Sequence, residues 1–291
     1  MTIEQPTRVA IVTGASSGVG KAAAKALAAK GWRVIGLGRD PERSAAAQAE
    51  IRSAAADGAQ VEMILADLAL MADAARAARE IAARTDRIDV LLNNAGGVRK
   101  EKVVTAEGNE ATFAGNHLGH FLLTTRLLPL LRAAAASSPP GATRIVNVSS
   151  SGHAASAGLD WSDLQMLGDF VSGAAYCNAK LANVLFAREL AKRLASDGIV
   201  AHAMHPGVVD SNFVSHADAG MQQYMSTLKA ITPAEGADTL VWLATAEEPG
   251  QTSGRYFHNR EAIPTSAAAQ DDAVAERLWG ESEKLIARVG V

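Results

Sequence analysis

The chain has 291 residues, 48% of them hydrophobic and 20% charged, which is enough apolar material for a core and too little charge for a disordered chain. Lys and Arg number 28 against 31 Asp and Glu, a net charge of −3, without the basic surplus of a nucleic-acid-binding protein. The single cysteine, Cys177, excludes an intrachain disulfide and a zinc finger, and no apolar run approaches the roughly 18 residues of a membrane span; a cytoplasmic protein with no membrane anchor is expected.

In chain order, short runs rich in Val, Ile and Leu at 8–12, 33–37, 61–65, 88–92, 144–148 and 199–204 read as strands buried on both faces. Segments rich in Ala, Leu, Lys, Arg and Glu at 19–30, 41–56, 71–84, 111–136 and 175–196 alternate with them as helices. A Ser-Ser-Pro-Pro-Gly loop at 137–141 precedes the fifth strand, Pro233 starts a late helix, and 254–257 reads as a last strand. The alternation implies right-handed crossovers and an α/β fold with a doubly wound, mostly parallel sheet covered by helices on both faces. No linker divides residues 1–291, so one domain is expected. Residues 207–231 have weak periodicity and read as a loop or helical cap over a substrate site.

The first strand runs into Gly14-Ala15-Ser16-Ser17-Gly18-Val19-Gly20, followed by a helix. A strand, a glycine turn and a helix N-terminus make an anion site, because free N–H groups and the positive end of the helix dipole point at a phosphate. The spacing G-x-x-x-G-x-G differs from the commonest dinucleotide fingerprint, and a plain tight turn is the alternative. The same stretch matches G-x-S-x-G, the nucleophile elbow of α/β-hydrolases, but an elbow at the first strand is out of place in that fold.

Tyr176 and Lys180 lie four apart on one helix and therefore share a face. A free phenol titrates near ~10, and a neighbouring ammonium lowers that value, which suits proton transfer to an alcohol or carbonyl oxygen. Ser149 and Ser150 end one strand and Asn93-Asn94-Ala95-Gly96 end another, the edge where open α/β sheets place ligands. Asn116 sits in an apolar helix and needs a partner.

The motifs TGASSGVG at 13–20, ADL at 66–68, NNAG at 93–96, NHLGHF at 116–121, VNVSS at 146–150, YCNAK at 176–180 and HPGVV at 205–209 occur in this order. With them the chain resembles the short-chain dehydrogenase/reductase family over nearly its whole length. NHLGHFLLT, AYCNAKLANVLF, SGRYF and AERLW are most similar to the branch of the retinol dehydrogenases, WW-domain oxidoreductases and protochlorophyllide reductases. The resemblance implies a single Rossmann domain with a seven-stranded sheet, an NAD(P) cofactor and a small-molecule carbonyl or alcohol substrate; the family favours dimers and tetramers. It implies Tyr176 as proton donor or base, and Lys180 lowering the tyrosine pKa and holding the nicotinamide ribose. It gives Ser150 the substrate oxygen and Asn116 a water that links Lys180 to solvent. It also implies that Gly14, Ser16, Ser17, Gly18, Val19 and Gly20 form the phosphate turn, that Asp67 and Leu68 flank the adenine, and that Asn94, Ala95 and Gly96 line the central cofactor region. Pro206, Gly207 and Val209 would meet the carboxamide, and Ser211 stands where the family has threonine.

The family's position for an NAD-selecting carboxylate falls on Gly38; Arg39 follows and suits a 2′-phosphate. Asp40 opposes this only if the alignment slips by one, and Asp-Pro-Glu gives it another task as a helix N-cap. NADP(H) is therefore expected over NAD(H). His117 and His120, and His202 and His205, are each three apart, but no carboxylate or cysteine completes a metal set. Trp161, Phe170 and Phe213 suit either a substrate wall or loop packing. A nucleotide-binding regulator of the same fold is the competing function; it would be expected to lose Tyr176, Lys180 or Ser150, and all are present.

Overall fold

The computed structural model describes residues 7–291. Strand β1 (Val9–Thr13) is wholly buried and sends Val9 and Ile11 to one face, Ala10 and Val12 to the other, as the two-residue period of a strand requires. The strands that follow are β2 (Arg33–Gly38), β3 (Val61–Leu65), β4 (Val90–Asn93), β5 (Arg144–Val148), β6 (Val200–Met204) and β7 (Tyr256–His258). They pair in parallel in the order 3-2-1-4-5-6-7, which reverses between β1 and β4.

The helices are α1 (Gly18–Ala29), α2 (Pro41–Ala54), α3 (Met71–Ala82), α4 (Ala111–Phe113), α5 (Gly119–Ala135), α6 (Ser172–Arg193), α7 (Ala219–Ser226), α8 (Pro233–Thr245) and α9 (Asp272–Val289). One apolar cluster joins the sheet to α3, α5, α6 and α9; a second joins its other face to α1, α2 and α8. The buried face of α1 is Gly20, Ala23, Ala24, Leu27 and Ala28, and all but Leu27 are small, which lets the helix lie close to the strands.

The sheet has eight strands, not seven. After β7 the chain reverses through Asn259 (φ 49°) and Arg260 (φ 62°) into β8 (Glu261–Ala262), which pairs antiparallel. Both turn residues are left-handed, the requirement of a tight hairpin, but neither is glycine. Arg260 holds this conformation with its N–H on Thr239 Oγ1 (3.0 Å) and its Nε on Asp238 Oδ2 (2.7 Å).

The helix expected over 111–136 is interrupted by a π turn, Ala114–Leu118. α9, which periodicity did not single out, packs Trp279 against Phe121 (ring centroids 4.8 Å apart) and under the Arg193 guanidinium (4.1 Å). Residues 207–231 form an excursion closed at its base, where Ile231 N–H donates to Val208 O (2.8 Å) and Asp210 N–H to Ile231 O (2.9 Å). Among the described residues no helix is long and apolar enough to cross a membrane.

Candidate active site

A cleft of about 1280 Å³ runs along the carboxyl edge of the sheet. That exceeds the roughly 300–1,000 Å³ of a pocket for one small ligand and leaves room for two. Every residue expected at the site lines it except Gly20. Gly20 lies behind the turn, where a Cβ would fall 2.4 Å from Gly14 O, so its part is to let α1 approach the turn. Gly14 has φ +69°, and a Cβ there would come within 2.9 Å of Ala95 Cα. Ser17 is the N-cap of α1 yet makes no capping bond, and the first turn carries no acid. The leading N–H groups of α1 therefore have no side-chain acceptor and suit an anion.

At the end of β2, a Cβ on Gly38 would meet Ser44 Oγ at 2.3 Å, so no side chain fits there. Arg39 is about half exposed, with Nη1 3.7 Å from Asp67 Oδ2. Asp40 caps α2 by accepting from Arg43 N–H (2.8 Å), with Pro41 in the first turn, as its sequence context predicts. That bond holds its carboxyl below the usual carboxylate range. Asp67 Oδ1 accepts from Ala69 N–H (3.0 Å), and Leu68 is buried beside it.

Asn116 lies in the π turn, and its amide is fully engaged. Oδ1 accepts from Gly97 N–H (3.1 Å), and Nδ2 donates to Gly97 O (2.8 Å) and Thr112 O (2.7 Å). A Cβ on Gly96 would meet Asn116 Oδ1 at 2.3 Å and Lys180 Nζ at 3.2 Å, so only glycine passes between them. Thr13, not singled out in the sequence, is the anchor of this turn: its Oγ1 accepts from the N–H groups of Asn94 (2.8 Å) and Ala95 (2.9 Å).

Ser150 follows β5 and its Oγ accepts from Gly152 N–H (3.1 Å). A Cβ on Gly152 would lie 3.4 Å from that Oγ and 3.7 Å from Tyr176 Cε1, which places the serine and the tyrosine on one wall. Lys180, one turn after Tyr176 on α6, is 4% exposed; its Nζ sits 5.5 Å from the Tyr176 ring centroid and donates to Val148 O (3.1 Å). Asn183, three residues on, donates to the same carbonyl (3.2 Å), a partner legible only as a further polar residue on that helix face. Burial lowers the Lys180 ammonium to about 8. Burial pushes the Tyr176 hydroxyl above its ordinary range, and the Ser150 hydroxyl opposes that only in part. The depression expected from Lys180 is not found: loss of water dominates, and the one opposing influence comes from Ser150.

Pro206, Gly207, Val209 and Ser211 line the wall where the 207–231 excursion leaves β6. Gly207 has φ +86°, and Ser211 stands beside Gly18, whose Cβ would come 3.7 Å from Ser211 Cβ. Phe213 lies over Tyr176, ring centroids 5.0 Å apart, and is the one member of the expected aromatic wall that lines the cleft. Trp161 instead packs against Arg277 (4.3 Å). The histidines have separate partners: His117 Nε2 lies 2.9 Å from Ser282 Oγ, His202 Nε2 lies 2.9 Å from Pro249 O, and His205 stacks on His258 at 3.9 Å. Cys177 is half-buried, and burial pushes its thiol up.

The family model described as short chain dehydrogenase matches residues 8–222. The chain is 38% identical to human retinol dehydrogenase 13 over 289 residues, covering 97% of this chain and 85% of that protein. Among solved structures, an uncharacterized protein from Mycobacterium paratuberculosis aligns with a TM-score of 0.76 at 30% identity, covering 98% of this chain and 96% of that one. Pseudomonas aeruginosa RhlG, in an active-site complex with NADP, aligns with a TM-score of 0.69 at 28% identity, covering 90% and 96%. The chain therefore belongs to the short-chain dehydrogenase/reductase family, in its retinol dehydrogenase-like branch, and is an NAD(P)-dependent oxidoreductase of alcohols and carbonyls.

Proposed function

We propose that the protein transfers a hydride between NADP(H) and the carbonyl or alcohol carbon of a small to medium lipophilic substrate, with Tyr176 as acid and base. The observation that carries this reading is the convergence of Ser150, Tyr176 and buried Lys180 on the cleft that the uncapped end of α1 also faces. The residues present fit a dinucleotide: the bare N-terminus of α1 suits a pyrophosphate, and Gly14 and Gly96 leave its path clear. Bound there, the nicotinamide supplies or accepts the hydride.

The chain's own groups handle the proton. Ser150 Oγ accepts from Gly152 N–H, and its hydroxyl proton, directed at Tyr176, can turn to a substrate oxygen. Tyr176 is protonated at neutral pH and can give its proton to that oxygen during reduction; burial makes it a weaker acid. Lys180 spends one N–H on Val148 O and keeps two for ribose hydroxyls; its charge stabilises the phenolate left behind. Asn116 spends its amide on Gly97, so any water it positions would meet its main chain. Phe213, Met221, Met225 and Leu228 line the cleft and favour an apolar substrate, in keeping with relatives named for retinol. A cytoplasmic setting belongs to the same proposal.

Tyr176→Phe keeps the ring packing and removes the proton. Turnover of a carbonyl panel with NADPH should vanish while NADPH binding, read by fluorescence titration, stays within about threefold. Turnover at the wild-type rate would overturn the assignment of the acid.

A further inference from the structure

His120 lies one turn after Asn116, is 1% exposed, and does not line the cleft. Its Nδ1 is 3.0 Å from Asn116 O, and its Nε2 is 2.9 Å from Thr13 Oγ1. A carbonyl oxygen only accepts, so Nδ1 must carry the proton. In a neutral ring Nε2 is then an acceptor, and the Thr13 hydroxyl must donate to it rather than to the more distant Leu92 O (3.2 Å). The same hydroxyl accepts from Asn94 and Ala95 N–H. Every bond in the chain has one direction: Asn94 and Ala95 N–H to Thr13, Thr13 O–H to His120, and His120 N–H to Asn116 O. Asn116 in turn grips Gly97 through both amide atoms.

The segment 94–97 is thus held at one end by Thr13 and at the other by Asn116, and His120 joins the two anchors. Between them lies Gly96, packed between Asn116 and the Lys180 ammonium. We propose that His120 is a positioning residue, a neutral Nδ1–H brace that fixes the 94–97 turn relative to Lys180. This rests on the reading that Lys180 serves hydride transfer. Burial, with the Lys180 charge beside it, holds the ring pKa at about 4 despite the bond to Asn116 O, so the brace stays neutral at physiological pH.

Two variants divide the brace. His120→Gln offers an amide oxygen to Thr13 but forfeits Asn116, and His120→Leu forfeits both. Each neutral hydrogen bond lost is worth about 0.5–1.5 kcal/mol, or about two- to tenfold. His120→Gln should therefore lower kcat about tenfold with cofactor KM within about threefold, whereas His120→Leu should also raise cofactor KM about tenfold. Loss of kcat and KM in the same proportion in both variants, measured per folded molecule, would mark a merely structural ring and overturn the brace. A second readout needs no variant to be active: nitrogen-15 spectra of the histidine-labelled wild type, with the His120 signals assigned by their loss in His120→Gln, or by elimination if that variant does not fold. They should show His120 as the Nδ1–H tautomer, with no titration above pH ~5. An Nε2–H tautomer or a charged ring at neutral pH would refute the proposal, whatever Tyr176→Phe does; failure of the tyrosine assignment leaves the tautomer result standing.

Discussion

Arg39 and Asp40 are neighbours whose side chains have opposite consequences for cofactor choice. Asp40 would select an unphosphorylated ribose if its carboxylate were free, but it accepts from Arg43 N–H and caps α2. Arg39 is half exposed and only loosely paired with Asp67 at 3.7 Å, so it is free to meet a 2′-phosphate. We expect kcat/KM with NADPH to exceed that with NADH, and Arg39→Ala to cut the NADPH value about 10–100-fold, the worth of one or two charge-assisted bonds. The NADH value should hardly move; an unchanged preference would show that Arg39 does not read the phosphate. The cap role of Asp40 was legible because it needs only local residues, Asp-Pro-Glu. So was the pairing of Tyr176 with Lys180, one helical turn apart. The Thr13–His120–Asn116 chain, with the 94–95 N–H groups it holds, was not, because its members lie far apart in sequence and meet only when β1, the end of β4, the π turn and α5 are packed.

Elements with a strong period were read within a few residues, and those that failed had competing physics. The turn at Asn259-Arg260 carries no glycine, so its hairpin left no local signal; tertiary bonds to Asp238 and Thr239 maintain its left-handed backbone. The π turn at Ala114–Leu118 hides inside a sequence that propensity reads as one helix, and such turns favour functional sites. The 207–231 excursion shows weak periodicity because α7 buries none of its residues. It is pinned at its base by the Val208–Ile231 and Asp210–Ile231 bonds and touches the cleft wall through Phe213 over Tyr176. A unit with so little buried area opens locally at small cost. Amide exchange in 219–226 should therefore be fast in the free protein and slow by at least about tenfold with NADPH and a substrate analogue bound. Equal exchange in both states would mean that the excursion does not act as a cap.

For the whole molecule, the two histidines of the NHLGHF stretch bind stability to pH. His117 and His120 are 0% and 1% exposed, and both rings stay neutral when folded. Burial holds His117 at about 3, with repulsion from His120 adding to it once that ring is itself protonated, and His120 at about 4, against an ordinary 6.5. Between 6.5 and about 4, unfolded chains bind protons that the folded protein refuses. The contribution of these rings is therefore complete above pH 6.5 and falls as pH drops through that window, by roughly 1.4 kcal/mol per pH unit for each ring. From pH 7 to 5 the pair removes roughly 4 kcal/mol, a large share of the about 5–15 kcal/mol that holds a domain folded. His202 and His153 are displaced in the same direction by burial and add to the slope. Carboxylates whose pKa is lowered, such as Asp40 and Glu235, act only below their ordinary range and leave this window to the imidazoles. Urea unfolding at pH 7, 6 and 5 should show midpoints that fall steadily, with protons taken up on unfolding. His117→Gln removes one titrating ring and should lower that uptake at pH ~5 by about one proton. A midpoint that stays level from pH 7 to 5 would mean that these rings are charged or hydrated in the folded protein, and with that the neutral His120 brace would fail as well; an uptake that the variant leaves unchanged would mean the same for His117 alone.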